Sequence, residues 1–402
     1  MKIALFTETY LPAINGVVTH VKLLKEGLER HGHDVLVVCA DAKTKKYYIE
    51  DGVMHCPAHE SKKFYGFGIA TPISPKRQKL IKEYNPDIIH IHNEFGIGFS
   101  GFMIAKALKK PLVYTLHTMY DDYIYYISNK VFAPIVKRIT HSYAKRLAKS
   151  ASALTGPSKK VEEYFRLCGV KKEVNIIPNP VEIDIFLPEN VDENKKHEFR
   201  LKYNIPESST VACFCGRLGK EKGLTVALNF WAQAVGVDDD FRFVIIGDGP
   251  EREALERLSK SLKIDHQVIF TGKVEHNDLP PYYACCDLYL TTSTSDTNSI
   301  SMLEGMASGL PTLSIIDPLN AGQVTDGVNG YNFSSPQQMY EQLKLIRNMD
   351  KDELEDFRRR VRLSVERAGA ERFAQYLIDI YNKISNQKGR DESANEVFEE
   401  LT

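Results

Sequence analysis

No uninterrupted apolar run in this 402-residue chain approaches the roughly 18 residues a membrane-spanning helix needs. The N-terminus, Met1-Lys2-Ile3-Ala4-Leu5-Phe6-Thr7-Glu8, lacks the apolar stretch of a signal peptide. Both absences predict a cytosolic protein, at most attached to a membrane surface. The seven cysteines (Cys39, Cys56, Cys168, Cys213, Cys215, Cys285, Cys286) are odd in number and lie mostly in apolar runs, so buried reduced thiols are expected. Cys213 and Cys215 alternate along one strand and do not form a Cys-x2-Cys metal pair. There is no arginine-rich run, zinc spacing or nucleic-acid motif, and no Ser–His–Asp or Cys–His arrangement to suggest a hydrolase. Asp238-Asp239-Asp240 precedes a strand on its polar side and reads as a solvated turn, so no metal site is expected.

What is present begins with charge. The total is −1, yet residues 1–180 hold 27 Lys and Arg against 16 Asp and Glu (+11), while residues 181–402 hold 25 against 37 (−12). A basic half is thus joined to an acidic one, and the length also calls for two domains. A basic half suits an anionic membrane or a phosphorylated substrate.

Short β-rich apolar runs alternate with helical patterns. Strands are expected at Ile3–Phe6, Val35–Cys39, Ile88–His92, Leu112–Leu116 and Ala153–Thr155, with helices near 17–31, 75–84, 99–109 and 131–149. The pattern restarts with strands at Thr210–Cys215, Arg242–Ile246, Val268–Phe270, Leu288–Thr291 and Thr312–Ile315, and helices near 224–235, 250–262 and 301–308. The polar stretch Pro188–Lys196 reads as a linker or a solvated helix start, and helical patterns at 335–347, 352–367 and 370–385 close the chain. The expected fold is α/β: two doubly wound, Rossmann-like domains facing across a cleft, with ligands beyond the carboxyl ends of the strands. There is no internal repeat beyond this reuse of the α/β unit.

The most informative segment is Asp296-Thr297-Asn298-Ser299-Ile300-Ser301-Met302-Leu303-Glu304, with carboxylates eight positions apart across a helix start. Unpaired N–H groups at a helix start favour phosphate, and flanking carboxylates suit sugar hydroxyls, which points to nucleotide-sugar binding. Four further segments accompany it: Tyr10-Leu11-Pro12 through Asn15-Gly16-Val17-Val18, Pro86-Asp87-Ile88-Ile89-His90-Ile91-His92, Thr115-Leu116-His117-Thr118, and Gly216-Arg217-Leu218-Gly219-Lys220-Glu221-Lys222-Gly223. Together they resemble the retaining GT-B glycosyltransferases of the Glu-x7-Glu type, with Asp296 where the first Glu is usual. Residues 114–123 look most like the bacterial 1,2-diacylglycerol 3-glucosyltransferases.

The resemblance implies an N-terminal acceptor-binding domain over 1–187 and a nucleotide-sugar-binding domain over 197–368. A helix over 369–385 then crosses back to the first domain, followed by a mobile acidic tail over 386–402. Arg217 and Lys222 follow the first strand of the second domain, where fixed cations stabilise the charge that develops on a departing nucleoside diphosphate. By resemblance Glu304 takes the ribose hydroxyls, Asp296 the donor sugar, and His117 the transferred sugar. Gly16, Gly216, Asn298, Ser299 and Ile300 complete the donor site. The Asp for Glu, and Asn298-Ser299 in place of a glycine-containing pair, fall where donor identity is read. His90 and His92 share a strand face and are expected to shape the cleft floor. Glu8 is expected to face the acceptor.

From Tyr123 to Val161 there is no acidic residue, while Lys137, Arg138, Lys145 and Arg146 punctuate an apolar stripe. Pattern alone allows the core face of an ordinary helix. A one-sided charge of this length also fits attachment to an anionic membrane surface. Tyr120, Tyr123, Tyr125 and Tyr126, with Phe64, Tyr65 and Phe67, would line an apolar acceptor path.

The expected activity is transfer of a hexose, glucose from UDP-glucose, to diacylglycerol or a glycolipid at the inner face of the cell membrane. The anomeric configuration would be retained, and nothing beyond the nucleotide sugar would be required. With no carboxylate evidently placed as nucleophile, front-face attack is favoured, and a covalent intermediate stays open. The alternatives are a soluble sugar, cell-wall precursor or small-acid acceptor, a nucleotide-sugar epimerase, and a non-catalytic binding subunit.

Overall fold

The computed structural model describes residues 1–13, 15–60, 68–119, 121, 132–320 and 322–399, with side chains through Asn386. The aromatic cluster Tyr120, Tyr123, Tyr125, Tyr126, Phe64, Tyr65 and Phe67 lies outside the described residues. The chain forms two compact units, Met1–Pro180 with Ala370–Thr402, and Val181–Gly369.

Unit 1 is built on a nine-stranded sheet: β1 (Lys2–Thr7), β2 (Asp34–Asp41), β3 (Tyr48–Glu50), β4 (Val53–Glu60), β5 (Gly68–Ala70), β6 (Ile88–Ile91), β7 (Leu112–Thr115), β8 (Ala153–Gly156) and β9 (Val174–Ile176). The order is β3-β4-β2-β1-β6-β7-β8-β9, with β5 also on β4. β3 and β5 pair antiparallel with β4 and the other pairings are parallel. Parallel strands covered on both faces read as continuous apolar runs, and β1 is such a run. Its Ala4 and Phe6 enter the core on one face, and Ile3 and Leu5 enter the core on the other.

The helix Gly16–Arg30 covers the Ile3 face with Val21, Leu24 and Leu28. Phe373, Leu377, Tyr381 and Ile384 of the C-terminal helix Ala370–Glu399 join the same core at helical spacing. At Gly27 a Cβ would sit 2.5 Å from that of Ala374, so glycine permits the close approach of these two helices.

Unit 2 has six parallel strands, β10 (Thr210–Cys215), β11 (Phe241–Ile246), β12 (Val268–Gly272), β13 (Leu288–Thr291), β14 (Thr312–Ile315) and β15 (Gly330–Phe333), in the order β12-β11-β10-β13-β14-β15. The single tryptophan, Trp231, is fully buried in its core and donates Nε1–H to Gln267 Oε1 at 3.0 Å.

The strands expected from sequence are present to within two residues at either end, and β3, β4, β5, β9 and β15 are additional. The passage between units falls at Pro180–Val181, ahead of the expected 187. Val181 donates its N–H to Ala368 O at 2.8 Å and Phe186 enters the unit 2 core, which commits 181–187 to unit 2. The stretch expected as a linker or a solvated helix start holds the beginning of a helix, Glu193–Lys202, whose cap Asp192 accepts from Asn194 N. The C-terminal helix runs past 385, to Glu399.

Candidate active site

In unit 2 the predicted residues converge at the carboxyl ends of β10 and β13. After β10 the chain turns through Gly216 (φ 153°) and hydrogen-bonds along the loop that follows β11: Gly216 N to Ile246 O at 3.0 Å, and Leu218 N to Asp248 O at 2.9 Å. A Cβ at Gly247 would lie 2.0 Å from Gly216 O, and one at Gly249 would lie 2.5 Å from Leu218 O. Two main-chain segments thus touch without side chains between them. Gly247 and Gly249 were missed from sequence, although Gly-Asp-Gly directly after an apolar strand was the available signal.

Arg217 donates Nη2–H to Glu221 Oε1, and the Glu221 carboxylate is almost wholly buried beneath Gly219. Lys222 Nζ lies 2.5 Å from Asp296 Oδ1. The helix Ile300–Ala307 is capped by Ser299, whose hydroxyl accepts from Met302 N at 3.4 Å. Asp296 is therefore a partner of Lys222 and not the cap. Asn320 Nδ2 donates to Asp296 O at 3.0 Å and Gln323 Nε2 to Thr297 O at 2.6 Å, fixing the turn that carries Asn298.

Glu304 is 4 % exposed on that helix. His276 Nε2 lies 3.1 Å from its Oε1, and Tyr283 Oη–H donates to Oε2 at 3.1 Å. Burial and the neighbouring Cys215 and Glu304 push the Tyr283 phenol well up, so it stays a donor. A cleft of about 270 Å³ lies against Asp296, Ser299, Asn320 and Gln323.

Unit 1 contributes a separate constellation. His117 lies two residues beyond β7, with Nε2 3.2 Å from Nδ1 of His92. His20 stands edge-on to His117, ring centroids 4.4 Å apart, and its Nδ1 is 2.9 Å from Asn179 Oδ1. His90 places Nδ1 2.6 Å from Tyr381 Oη and Nε2 2.6 Å from Thr115 Oγ1. Burial holds all four imidazoles below their ordinary value, His20 at about 4, so each is neutral near pH 7.

His20, His92 and His117 are the one group among the described residues with metal-ligating atoms all within 4.8 Å of one another. Ligands about 2.0–2.1 Å from zinc in a tetrahedron stand roughly 3.4 Å apart. The wider spacing and the His92–His117 contact favour a hydrogen-bonded cluster.

Gly16 opens its helix behind Asn15, whose Oδ1 accepts from Val18 N at 3.0 Å. The Glu8 carboxylate accepts from Ala70 N at 2.8 Å, Ile97 N at 2.7 Å and Asn93 Nδ2 at 3.2 Å, so it ties β5 and the helix Gly96–Ala107 to β1.

The basic helix spans Ala133–Ser150. Its later half packs through Ala144, Leu147 and Ala148, while Phe132, just before it, Ile135 and Ile139 are exposed beside Lys137, Arg138 and Arg146. Lys137 pairs with Asp121 at 2.7 Å. Lys145 turns toward Gly169, where a Cβ would meet its Nζ at 2.8 Å. No helix among the described residues is long and apolar enough to cross a membrane. Tyr120 lies outside the described residues.

Residues 14–185 match the family Glycosyltransferase Family 4, and residues 195–366 match Glycosyl transferases group 1. The two sheets are those of a GT-B glycosyltransferase, and the chain belongs to this family. It is 31 % identical over 354 residues to the alpha-monoglucosyldiacylglycerol synthase of Acholeplasma laidlawii, covering 86 % of this chain and 88 % of that one. The synthase of the same name from Streptococcus pneumoniae is 31 % identical over 333 residues, covering 82 % and 74 %. A GDP-mannose-dependent alpha-mannosyltransferase of Corynebacterium glutamicum is 26 % identical over 344 residues, covering 82 % and 76 %. Among solved structures, Anabaena Alr3699/HepE in complex with UDP aligns over 95 % of this chain and 100 % of that one, with TM-score 0.73 and 19 % identity.

Proposed function

We propose that this enzyme transfers glucose from UDP-glucose, with retention, to the hydroxyl of diacylglycerol or a glycolipid at an anionic membrane surface. The observation that carries the donor half is the convergence of Arg217, Lys222, Asp296 and the Ser299-capped helix at the carboxyl ends of β10 and β13. Two cations and a helix N-terminus are what a departing diphosphate requires, because charge grows on its bridging oxygen as the glycosidic bond breaks. Glu304, held by His276 and Tyr283, is set to accept from the ribose hydroxyls, and Asp296 from the sugar.

In the proposed reaction His117 contacts the transferred sugar. The acceptor hydroxyl attacks from the face the diphosphate leaves, and a phosphate oxygen takes its proton. Support for the lipid acceptor comes from the names of the 31 % identical synthases and from apolar Phe132, Ile135 and Ile139 exposed among basic residues. The GDP-mannose-dependent relatives supply the competing donor. The deciding experiment offers UDP-glucose or GDP-mannose with diacylglycerol vesicles or soluble sugars and identifies products by mass. Glucosyl-diacylglycerol from UDP-glucose is expected; a mannosylated or water-soluble product would reject this reading.

A further inference from the structure

The buried histidines of unit 1 differ in what their nitrogens meet, and the difference fixes their protons. A neutral imidazole carries one N–H and one lone pair. His20 Nδ1 faces the Asn179 Oδ1 amide oxygen, which only accepts, so the His20 proton sits on Nδ1. His20 Nε2 is then a lone pair, and among the described residues it has no partner. His90 uses both nitrogens on Tyr381 and Thr115 and only stacks against His92, centroids 4.1 Å apart.

His92 is the informative ring. Its Nδ1 is 3.2 Å from His117 Nε2, its Nε2 is buried with no partner among the described residues, and the ring is 1 % exposed. If His117 were the donor, the His92 proton would have to sit on Nε2 as a buried N–H with nothing to accept it. If His92 is the donor, Nε2 is only an unused lone pair. Orphaned buried N–H groups are the rarer and costlier outcome.

We propose that His92 is a positioning residue that donates Nδ1–H to His117 Nε2 and thereby locks His117 as its Nδ1–H tautomer. His117 then carries its proton on Nδ1 with Nε2 engaged by His92, and neither of its nitrogens is a free base. It grips a sugar oxygen and does not collect the acceptor's proton. The role for the sugar rests on the function proposed above, whereas the tautomer does not.

The test uses the full chain with ¹⁵N-labelled histidine. Ring ¹⁵N shifts of the free protein are expected to show both His92 and His117 protonated on Nδ1, at every pH where they stay neutral. His92→Leu, which removes the donor, is expected to mix the His117 tautomers and lower kcat about ten-fold, the scale of one lost hydrogen bond. The UDP Kd, set by unit 2, should not move. His92→Asn, whose amide restores an N–H close to the place of Nδ1, should recover most of the loss and the His117 tautomer. An Nε2–H signature for His117 in the unsubstituted protein overturns the proposal, as does full turnover with an unmixed His117 ring in His92→Leu. The spectra need no substrate, so failure of the proposed donor or acceptor and failure of the tautomer are read separately.

Discussion

At the scale of single residues, the charges around the donor site are already paired with one another. Lys222 is held by Asp296 and Arg217 by Glu221, so a diphosphate must share or displace these carboxylates. Asp296→Asn should therefore tighten UDP measured by calorimetry while slowing sugar transfer; weaker UDP binding would show that Asp296 does not compete for Lys222. Arg217→Ala or Lys222→Ala should lower kcat at least ~100-fold, the scale of a lost oxyanion contact, with unchanged circular dichroism. The buried histidines carry a prediction in pH. Their folded values are depressed, so below the ordinary 6.5 the unfolded chain binds protons that the folded one refuses, and stability falls as pH falls. Each ring contributes roughly 1.4 kcal/mol per pH unit in that window, which for His20 extends down to about 4. Calorimetric melts should show unit 1 losing stability steeply from pH 7 to 5; a flat profile would place charged rings in the folded state. Arg217, Lys222, Asp296 and Glu304 were legible in sequence because each sits in a short local motif. His276, Tyr283, Asn320, Gln323 and Asn179 were not, since their partners come from turns and helices whose meeting is set by the sheet.

At the scale of elements, apolar runs marked the central strands because both their faces are buried. β4 escaped notice because it holds two histidines and Pro57. Proline is tolerated there because β3 pairs only with Val53–His55 and β5 only with Ala58–Glu60, leaving no neighbour on that side to need its missing N–H. The helix Ala133–Ser150 was legible as basic and amphipathic, but its sequence did not say which part of the stripe is buried. With Ile135 and Ile139 exposed beside basic residues, binding to anionic vesicles should fall steeply with salt and exceed binding to neutral ones. Replacing Lys137, Arg138, Lys145 and Arg146 by Gln should cut lipid-acceptor turnover more than UDP affinity. Equal co-sedimentation with both vesicle types would favour a soluble acceptor. Glu8 ties three elements at once, so Glu8→Ala should lower the thermal midpoint of unit 1, with loss of a buried carboxylate's three donors as the cause.

At the scale of the whole molecule, the two halves of the sequence carry opposite charge, +11 over residues 1–180 and −12 over 181–402. The alternation of strands and helices disclosed two doubly wound units, but not where the chain leaves the first one, since Val181 and Phe186 are committed by contacts made with unit 2 alone. Unit 1 is discontinuous: its final helix is separated from Pro180 by the whole of unit 2. A chain ended at Gly369 should show an early calorimetric transition for unit 1 and a nearly unchanged one for unit 2. The same discontinuity sets a delay during synthesis. At about 5–20 residues per second, the stretch from Pro180 to Ala370 takes the ribosome roughly 10–40 s. Through that interval the nascent sheet presents the bare strip that Phe373, Leu377 and Tyr381 later cover, and His90 lacks its phenol. Unit 1 is therefore begun first and finished last.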